Sequence, residues 1–321
     1  MVVRIDLIDT EELKPTYQRL IEKRDLIQKS RPLPALALHK IKESLNLEWT
    51  YNSNSIEGNS LTLRETKVIL EDGMTIHGKT LREHFEAHNH AKAIDFLYTL
   101  VKKNYKLKAG DILSLHKIVL NSIEDHFAGQ LRNSGVRISG ANFVPPNALK
   151  VPDLLDQLID YVQQNPDGLN TIELATIFHH QFVHIHPFLD GNGRTVRLAM
   201  NLLLISEGFP PAIILKNDRK KYYDALNQAN NGRYNKLLLL MCQALERTLN
   251  IYINALSDSP DDYLPIANLL EEAQMPYGKE YISLLARQGK IDAYKEGKNW
   301  LTNKAAIDNY MLNRKRKRDV S

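Results

Sequence analysis

The chain lacks the features that mark secreted and membrane proteins. It has 321 residues but one cysteine, Cys242, so it cannot form a disulfide bond within itself. No apolar run approaches the roughly 20 residues of a membrane-spanning helix. The start, MVVRIDLIDTEELK, lacks the apolar centre of a signal peptide. These absences predict a reducing, cytoplasmic location without a membrane partner.

Most of the chain also lacks excess basic charge. The net charge is +4, but the tail RKRKRDVS at 314–321 alone carries five positive charges and one negative charge. The first 313 residues therefore have no net charge, which argues against a body that binds nucleic acid through general basic charge. A hydrophobic content of 43% is enough to bury a core.

Apolar residues at helical spacing recur along most of the chain and predict an all-α fold. The predicted helices cover 11–28, 34–52, 62–72, 80–103, 110–123, 152–164, 171–185, 193–207, 217–230 and 234–256. The polar segment SDSPDD at 257–262 contains a proline and is typical of a linker. Beyond it, two short helical stretches at 265–274 and 277–288 precede a hairpin that turns at Gly297.

The stretch HPFLDGNGRTVR at 186–197 combines the residue types of a polyphosphate site. Its Gly-Asn-Gly turn lets backbone N–H groups approach an anion closely, and the following apolar pattern predicts that a helix begins there. A helix N-terminus favours phosphate, and Arg194 and Arg197 can share one helix face. Asp190 is a hard oxygen ligand suited to Mg²⁺.

This stretch resembles the Fic family, whose motif is HxFx(D/E)GNGRxxR. The specified positions are matched by His186, Phe188, Asp190, Gly191, Asn192, Gly193, Arg194 and Arg197. The resemblance implies a protein adenylyltransferase, which moves AMP from ATP to a Ser, Thr or Tyr hydroxyl of a target protein. The alternative for an isolated motif is a packed interhelical histidine beside an ordinary loop. A metal cluster of His179, His180 and His184 is not predicted, because no HExxH-like carboxylate accompanies it.

The resemblance implies a role for each motif residue. His186 would be the general base, since a histidine with an ordinary pKa accepts a proton at neutral pH. Asp190 would hold Mg²⁺. The Gly191–Gly193 backbone and the Asn192 side chain would surround the α-phosphate, and Arg194 and Arg197 would hold the β- and γ-phosphates.

Residues 53–58, SNSIEG, resemble the Fic inhibitory motif (S/T)xxxE(G/N) through Ser53, Glu57 and Gly58. The resemblance implies that Glu57 lies against Arg197 and takes the space that the γ-phosphate needs. In some relatives this glutamate also helps water to remove AMP from a target. The structural alternative is that Ser53 caps the start of a short helix that ends at Gly58.

Two further segments resemble parts of the Fic site. RNSGVRISGANFVPP at 132–146 resembles the flap, a β-hairpin that aligns the target. Its strand residues are Val136, Arg137, Ile138 and Ser139. The alternative is a hairpin that only covers the core. KKYYDALNQAN resembles the adenine pocket, where Tyr222 or Tyr223 would stack on the base and Asn230 would bond to it; the alternative for the tyrosines is core packing.

Residues 73–80, GMTIHGKT, match the Walker A expression, but a P-loop needs a preceding strand. The pattern around Thr62 and Glu65 instead predicts a capped helix, and Thr80 with Glu83 predicts a capping box. A metal pair of His84 and His88 is not predicted either, because Glu83, Glu86 and Lys92 are interpreted as a solvated helix surface. A nucleotide site at Lys79 is therefore not predicted.

The segment after 262 resembles a winged helix-turn-helix. Thr302 is predicted to cap a final helix, and Trp300 to pack the wing onto it. DNA contact through residues 258–321 is one interpretation, with phosphates met by the tail and by Lys279, Arg287, Lys290, Lys295 and Lys298. Contact with a protein is the other, and the sequence leaves both open.

The sequence thus predicts a Fic-type helical bundle with a β-hairpin flap and a small C-terminal winged helix-turn-helix domain. We expect an N-terminal helical region at 1–103 with the inhibitory motif 53–58, a catalytic core at 104–256, a winged-helix-like domain at 257–313 and a basic tail at 314–321. The implied partners are ATP, Mg²⁺ and a hydroxyl-bearing target protein, which can be the chain itself. The sequence is also compatible with a homo-oligomer. The competing hypothesis is a DNA-binding regulator whose Fic core is inactive or transfers another phosphate-containing group.

Overall fold

The computed structural model describes residues 11–30, 34–138, 140–256 and 263–318. The helices are α1 (Lys14–Lys29), α2 (Ala35–Ile56), α3 (Leu63–Asp72), α4 (Leu81–Leu100), α5 (Ala109–Leu120), α6 (Val151–Gln164), α7 (Thr171–Ile185), α8 (Asn192–Ser206), α9 (Arg219–Ala229), α10 (Asn235–Leu256), α11 (Ile266–Glu272), α12 (Lys279–Arg287) and α13 (Lys304–Arg318). The strands are β1 (Leu264–Pro265), β2 (Ala293–Glu296) and β3 (Asn299–Thr302). The all-α prediction is confirmed, with the helices close to their predicted places.

Contacts divide the chain into two compact units. The first is built on Lys42–Leu238, and the second on the described parts of Asp9–Ile41 and Leu239–Ser321. This grouping places α1 with the C-terminal elements, whereas the sequence places it with the N-terminal region. The domain boundaries expected from the sequence stay a prediction. None of the helices in the described ranges is long and apolar enough to cross a membrane.

The first unit is organised around α7 and α8, which pack on each other. Helix α6 packs on α7, and α4 and α5 pack on α8. The apolar spacing that predicts these helices also makes their core, because Phe178 and Phe182 of α7 and Val196, Leu198 and Leu202 of α8 are fully buried. The two helices that carry the predicted loop therefore lie at the centre of the first unit.

The segment at 73–80 joins α3 to α4 and follows a helix rather than a strand. The helix cap predicted at Thr62 and the capping box predicted at Thr80 are both present, each as a capping box, with Glu65 and Glu83 respectively. The Lys79 ammonium donates to Ser60 O at 2.9 Å. The structure therefore confirms that this segment is a helix connection and not a P-loop.

The strand predicted at 136–139 is not formed by the described residues Val136, Arg137 and Ile138, so that part of the prediction is wrong. We call residues 132–146 the flap; its role in aligning a target stays a prediction. The sheet consists of residues between 264 and 302, while Val136, Arg137 and Ile138 lie outside any strand. The turn is present, since the Ala141 N–H donates to Ile138 O; Ser139 lies outside the described residues. Alternation produces an extended backbone, but a ladder also needs donors opposite, and Pro145-Pro146 has none.

The end of the second unit has the predicted helix, helix, hairpin order, with strands ordered β1-β3-β2. Trp300 packs against its small core of Ile282, Ile307 and neighbours, as predicted, and the hairpin turns at Gly297. The predicted cap at Thr302 is wrong, because Asn303 Oδ1 accepts from the Ala306 N–H while Thr302 Oγ1 donates to Asp292 O. The winged-helix assignment stays a prediction.

Candidate active site

The loop between α7 and α8 brings the predicted motif together. His186 ends α7 in the left-handed region at φ 52°, and Pro187 follows it, so the helix cannot continue. Gly191 begins α8 with φ 74°, a conformation that favours glycine. The Asn192 side chain closes the loop, because Oδ1 accepts from the Phe188 N–H at 2.9 Å and Nδ2 donates to Phe188 O at 2.8 Å. Its amide therefore shapes the loop, although the resemblance implied a contact with the α-phosphate.

His186 is a buried histidine with a lowered pKa. Burial lowers its pKa to about 4, and Arg132 lowers it as well, against the opposite effects of a Val183 backbone contact, Glu57 and Asp190. At pH 7 the imidazole therefore holds no charge and keeps a free acceptor. The chemistry of this position fits proton abstraction.

Arg197 lies in the first turns of α8 and is held by the predicted inhibitory motif. Its Nε donates to Ser53 Oγ at 3.1 Å, and Nη2 donates to Ser53 O at 2.9 Å and to Glu57 Oε1 at 2.7 Å. Ser53 is in the last turn of α2 rather than at a helix start, so the capping alternative is wrong. Burial alone would lower the pKa of Arg197, but Glu57 outweighs it and raises the pKa.

The Glu57 carboxylate fills the space beside the Gly-Asn-Gly turn. A methyl group placed on Gly193 would overlap Glu57 Oε1 and would lie 3.0 Å from Arg197 Nη1. Within the described chain, the buried Arg197 Nη1 and Arg194 Nε have no hydrogen-bond partner. Buried guanidinium groups with free donors are expected to meet an acceptor, and an anion in the carboxylate's place would supply one.

Helix α4 contributes two charged residues to this site that the sequence interpretation missed. Arg82 Nη2 lies 2.6 Å from Asp190 Oδ2, and Glu86 Oε1 lies 3.1 Å from Arg194 Nη1. Arg194 is 3% exposed and Glu86 is 12% exposed, so the solvated surface predicted for Glu86 is wrong, whereas Lys92 is exposed as predicted. His84 is also buried, with Nε2 accepting from the Ile76 N–H at 2.8 Å.

Asp190 fits a Mg²⁺ ligand by its chemistry and place. Burial would raise its pKa, but Arg194, the Gly191 N–H and Arg82 outweigh burial and keep the pKa below its ordinary value. The Asp190 carboxylate is ionised and 44% exposed, and it belongs to the same loop as the Gly-Asn-Gly turn where an anion could bind. Mg²⁺ is commonly held by one or two carboxylates together with substrate phosphates. In the described part of the chain no three His, Cys, Asp or Glu side chains cluster around a metal position, so a histidine metal cluster is not formed.

The sequence interpretation also missed the role of Arg132, the first residue of the flap. Its Nε donates to His186 O at 2.7 Å, its Nη2 donates to Pro146 O, and its N–H donates to Pro187 O at 2.9 Å. Arg132 is 3% exposed. It therefore fastens both ends of the flap to the loop that carries the histidine.

The candidate adenine residues differ in their surroundings. Tyr222 is buried, and its hydroxyl lies 3.0 Å from His179 Nε2, so it packs in the core. Asn230 bonds to His180 through Oδ1 and to Asn142 of the flap through Nδ2. Tyr223 is half-buried with Arg219 over its ring, and Arg219 Nε donates to Ile56 O at 2.7 Å. Of the three, Tyr223 has the environment that suits base stacking.

The site agrees with what the chain is similar to. Residues 106–204 match the model of the Fic/DOC family. A curated relative, protein adenylyltransferase Fic of Aedes aegypti, is 35% identical over 278 residues, which cover 86% of this chain and 54% of the relative. The chain thus spans about half the length of the curated relatives it matches.

Solved structures give the same result. Fic-1 (residues 134–508) of C. elegans is 32% identical with a TM-score of 0.68, over 75% of this chain and 71% of that one. A Fic domain containing signaling protein of Bacteroides thetaiotaomicron is 25% identical with a TM-score of 0.67, over 75% and 96% of the two chains. The loop at 186–197, the contact between Arg197 and Glu57, and these similarities agree. The chain belongs to the Fic/DOC family.

Proposed function

We propose that the chain transfers AMP from ATP to a Ser, Thr or Tyr hydroxyl of a target protein, itself included. The observation that carries this proposal is the pair of buried guanidinium groups with free donors beside a neutral, loop-bound histidine. A site of this kind holds a polyphosphate and removes a proton in one place. The curated relatives are named for this activity.

In the proposed reaction, His186 takes the proton of the target hydroxyl while the hydroxyl oxygen forms a bond to the α-phosphorus. The bond between that phosphorus and the oxygen bridging to the β-phosphate breaks, and pyrophosphate leaves with its electron pair. The backbone of Gly191–Gly193 would stabilise the α-phosphate charge, and Arg194 and Arg197 would hold the outer phosphates. Asp190 would hold Mg²⁺, which supplies positive charge to the phosphates.

We further propose that the resting enzyme is inhibited by Glu57. Its carboxylate neutralises Arg197 and occupies the space beside Gly193, so a γ-phosphate there would meet both a like charge and a steric overlap. Bonds from Asn54 and Asn59 to α4, and from Arg219 to Ile56 O, hold the end of α2 in this position.

The test is intact mass spectrometry after incubation with ATP and Mg²⁺. We expect little self-modification in the unmodified chain, AMP adducts in Glu57→Gly, and none in Glu57→Gly combined with His186→Ala. Glu57→Gly combined with His126→Ala is the matched control, because His126 is exposed on the surface. A phosphate-sized adduct would instead identify another transfer. Equal labelling with and without Glu57 would contradict the inhibitory role.

The same glutamate supports a second reaction at this site, removal of AMP by water. Glu57 lies beside the Gly-Asn-Gly turn and its side chain is one-third exposed, so it can contact a water at the modified hydroxyl. We expect the unmodified chain to release AMP from an adenylylated protein and Glu57→Gly to lose that activity. Chromatography of released AMP measures it.

A separate candidate function is contact with DNA through residues 258–321. Lys279, Arg287, Lys290 and Lys298 are exposed, and Arg314 of α13 donates to Tyr281 Oη of α12 at 2.7 Å, which places the start of the basic tail beside α12. Anisotropy of a labelled duplex with the full chain tests this. Binding should fall steeply with salt and weaken in Lys279→Ala with Arg287→Ala, but not in Lys67→Ala. Salt-independent or absent binding favours a protein partner.

A further inference from the structure

His116, which the sequence interpretation did not single out, contacts the active loop from α5. The residue is fully buried. Its ring stacks on Phe188 with centroids 3.6 Å apart and planes 3° apart. Its Nε2 lies 3.0 Å from Asp190 O, and its Nδ1 lies 2.9 Å from the Gly129 nitrogen.

The partners determine which ring nitrogen carries the proton. The Gly129 N–H can only donate, so Nδ1 must accept, and Asp190 O can only accept, so Nε2 must donate. Both bonds therefore require the neutral imidazole with its proton on Nε2. A side chain without a donor at one end and an acceptor at the other leaves a buried backbone group unpaired.

The ring also limits the backbone at the next position. A methyl group on Gly191 would lie 3.3 Å from two atoms of the His116 ring, tighter than most such contacts. Thus one side chain contacts the loop at Phe188, Asp190 and Gly191. Because Asp190 O and the Asp190 side chain belong to the same residue, a fixed carbonyl limits the directions that the carboxylate can take.

The opposite end of the loop is held by Arg132, which bonds to His186 O and Pro187 O. Gly129, the other partner of His116, lies three residues before Arg132. The short stretch that leads into the flap therefore holds the loop at both ends, directly through Arg132 and through the His116 ring at Asp190.

We propose that His116 is a positioning residue that fixes Asp190 and the Gly191 turn so that the loop can take the metal and phosphates of the proposed reaction. This inference rests on the proposed adenylylation. His116 acts through the loop and contacts no reacting atom itself. It differs from a packing residue in that its two hydrogen bonds, rather than its volume, are needed.

The test separates these two roles with isosteric variants in the Glu57→Gly chain. His116→Phe keeps the stack on Phe188 and loses both bonds. His116→Gln keeps a donor near the Nε2 position, and His116→Asn keeps an acceptor near the Nδ1 position. We expect His116→Phe to lower kcat for self-modification about 10- to 100-fold, the usual range for lost support of a metal ligand, with Gln recovering more than Asn.

A metal readout makes the test independent of turnover. Mn²⁺ binding in the presence of ATP is measured by electron paramagnetic resonance. The affinity for Mn²⁺ should fall about 10-fold or more in His116→Phe and by a smaller factor in His116→Gln. The control, His126→Phe, changes an exposed histidine and should change neither kcat nor Mn²⁺ affinity. Circular dichroism and melting temperature establish that each variant is folded.

The outcomes decide the proposal. A folded His116→Phe with kcat and Mn²⁺ affinity within about twofold of the Glu57→Gly parent overturns it, because 10- to 100-fold effects are expected. If His116→Phe does not fold, equal losses of kcat and Mn²⁺ affinity in His116→Gln and His116→Asn overturn the proposal. A donor that positions Asp190 predicts a smaller loss in His116→Gln, which keeps that donor. Failure of the proposed function is seen separately, as a Glu57→Gly parent that binds Mn²⁺ with ATP and forms no AMP adduct.

Discussion

Replacing Glu57 with glutamine should destabilise the chain and strengthen its binding of ATP at the same time. Glu57 Oε1 lies 2.7 Å from Arg197 Nη2, and the Arg197 side chain is 3% exposed. Glutamine keeps the size of the side chain and removes its charge. Arg197 then keeps the two Ser53 oxygens but loses its counter-charge in a buried place.

The expected free energy lies between two limits. Breaking a fully buried ion pair costs about 3–5 kcal/mol, whereas an exposed pair contributes about 0–1 kcal/mol. Glu57 is 33% exposed, so about 2 kcal/mol is reasonable for this pair. In a chain of this size that lowers Tm by about 3 °C. Because ATP no longer displaces a carboxylate, the same free energy should tighten ATP binding about 30-fold.

Differential scanning fluorimetry with and without ATP and Mg²⁺ measures both effects. Without nucleotide, Glu57→Gln should melt below the unmodified chain, and with saturating ATP the difference should shrink or reverse. Glu207→Gln, an exposed carboxylate at the end of α8, is the control and should change neither value. If Glu57→Gln is as stable as the unmodified chain and shows the same ATP shift, the Glu57–Arg197 pair does not oppose nucleotide.

Three further outcomes follow from the site. Arg82→Ala should lower the Mg²⁺ concentration needed for half-maximal labelling several-fold, because Arg82 competes for the Asp190 carboxylate; a Mg²⁺ titration checks it. Gly193→Ala should weaken ATP binding even without Glu57, as measured by calorimetry, because a methyl group 3.0 Å from Arg197 Nη1 takes space beside the Gly-Asn-Gly turn. The kcat/KM of Glu57→Gly should fall only toward pH 4–5 in a pH profile, because a base is active above its pKa and burial lowers that of His186 to about 4.

The sequence predicted the parts of the site that local chemistry determines. Helices follow from apolar spacing within about four residues, and the loop follows from the proline after His186 and the glycine at 191. A contact between Glu57 and Arg197 was expected from two motifs, and the structure places them in contact although 140 residues separate them. Without the resemblance, spacing alone would not have joined those motifs.

The residues that the sequence interpretation missed act across long separations. Arg82 is 108 residues from Asp190, and Arg132 is 54 residues from His186, so no periodic pattern connects them. A partial signal existed on α4, where Glu86 lies on the same helix as the buried His84, His90 and Ile94. The strand predicted at 136–139 failed for a related reason, since a ladder depends on a partner that alternation within one segment does not supply.

Under the proposed function, the charges of the resting site predict how ATP and Mg²⁺ bind. Glu57, the residue after the end of α2, neutralises Arg197, while α4 pairs Arg82 with Asp190 and Glu86 with Arg194. A bare triphosphate would displace Glu57 but leave Asp190 bound to Arg82, and a bare cation would do the reverse. A Mg²⁺–ATP complex exchanges both contacts together, giving an anion to Arg197 and a cation to Asp190, and so leaves no buried charge without a partner. Binding of the metal and of the nucleotide should therefore be cooperative in this site, each tightening the other, and calorimetric titrations of ATP with and without Mg²⁺ should show reciprocal gains. Equal ATP affinity in the two titrations would mean that the contacts made by Glu57 and by α4 are released independently.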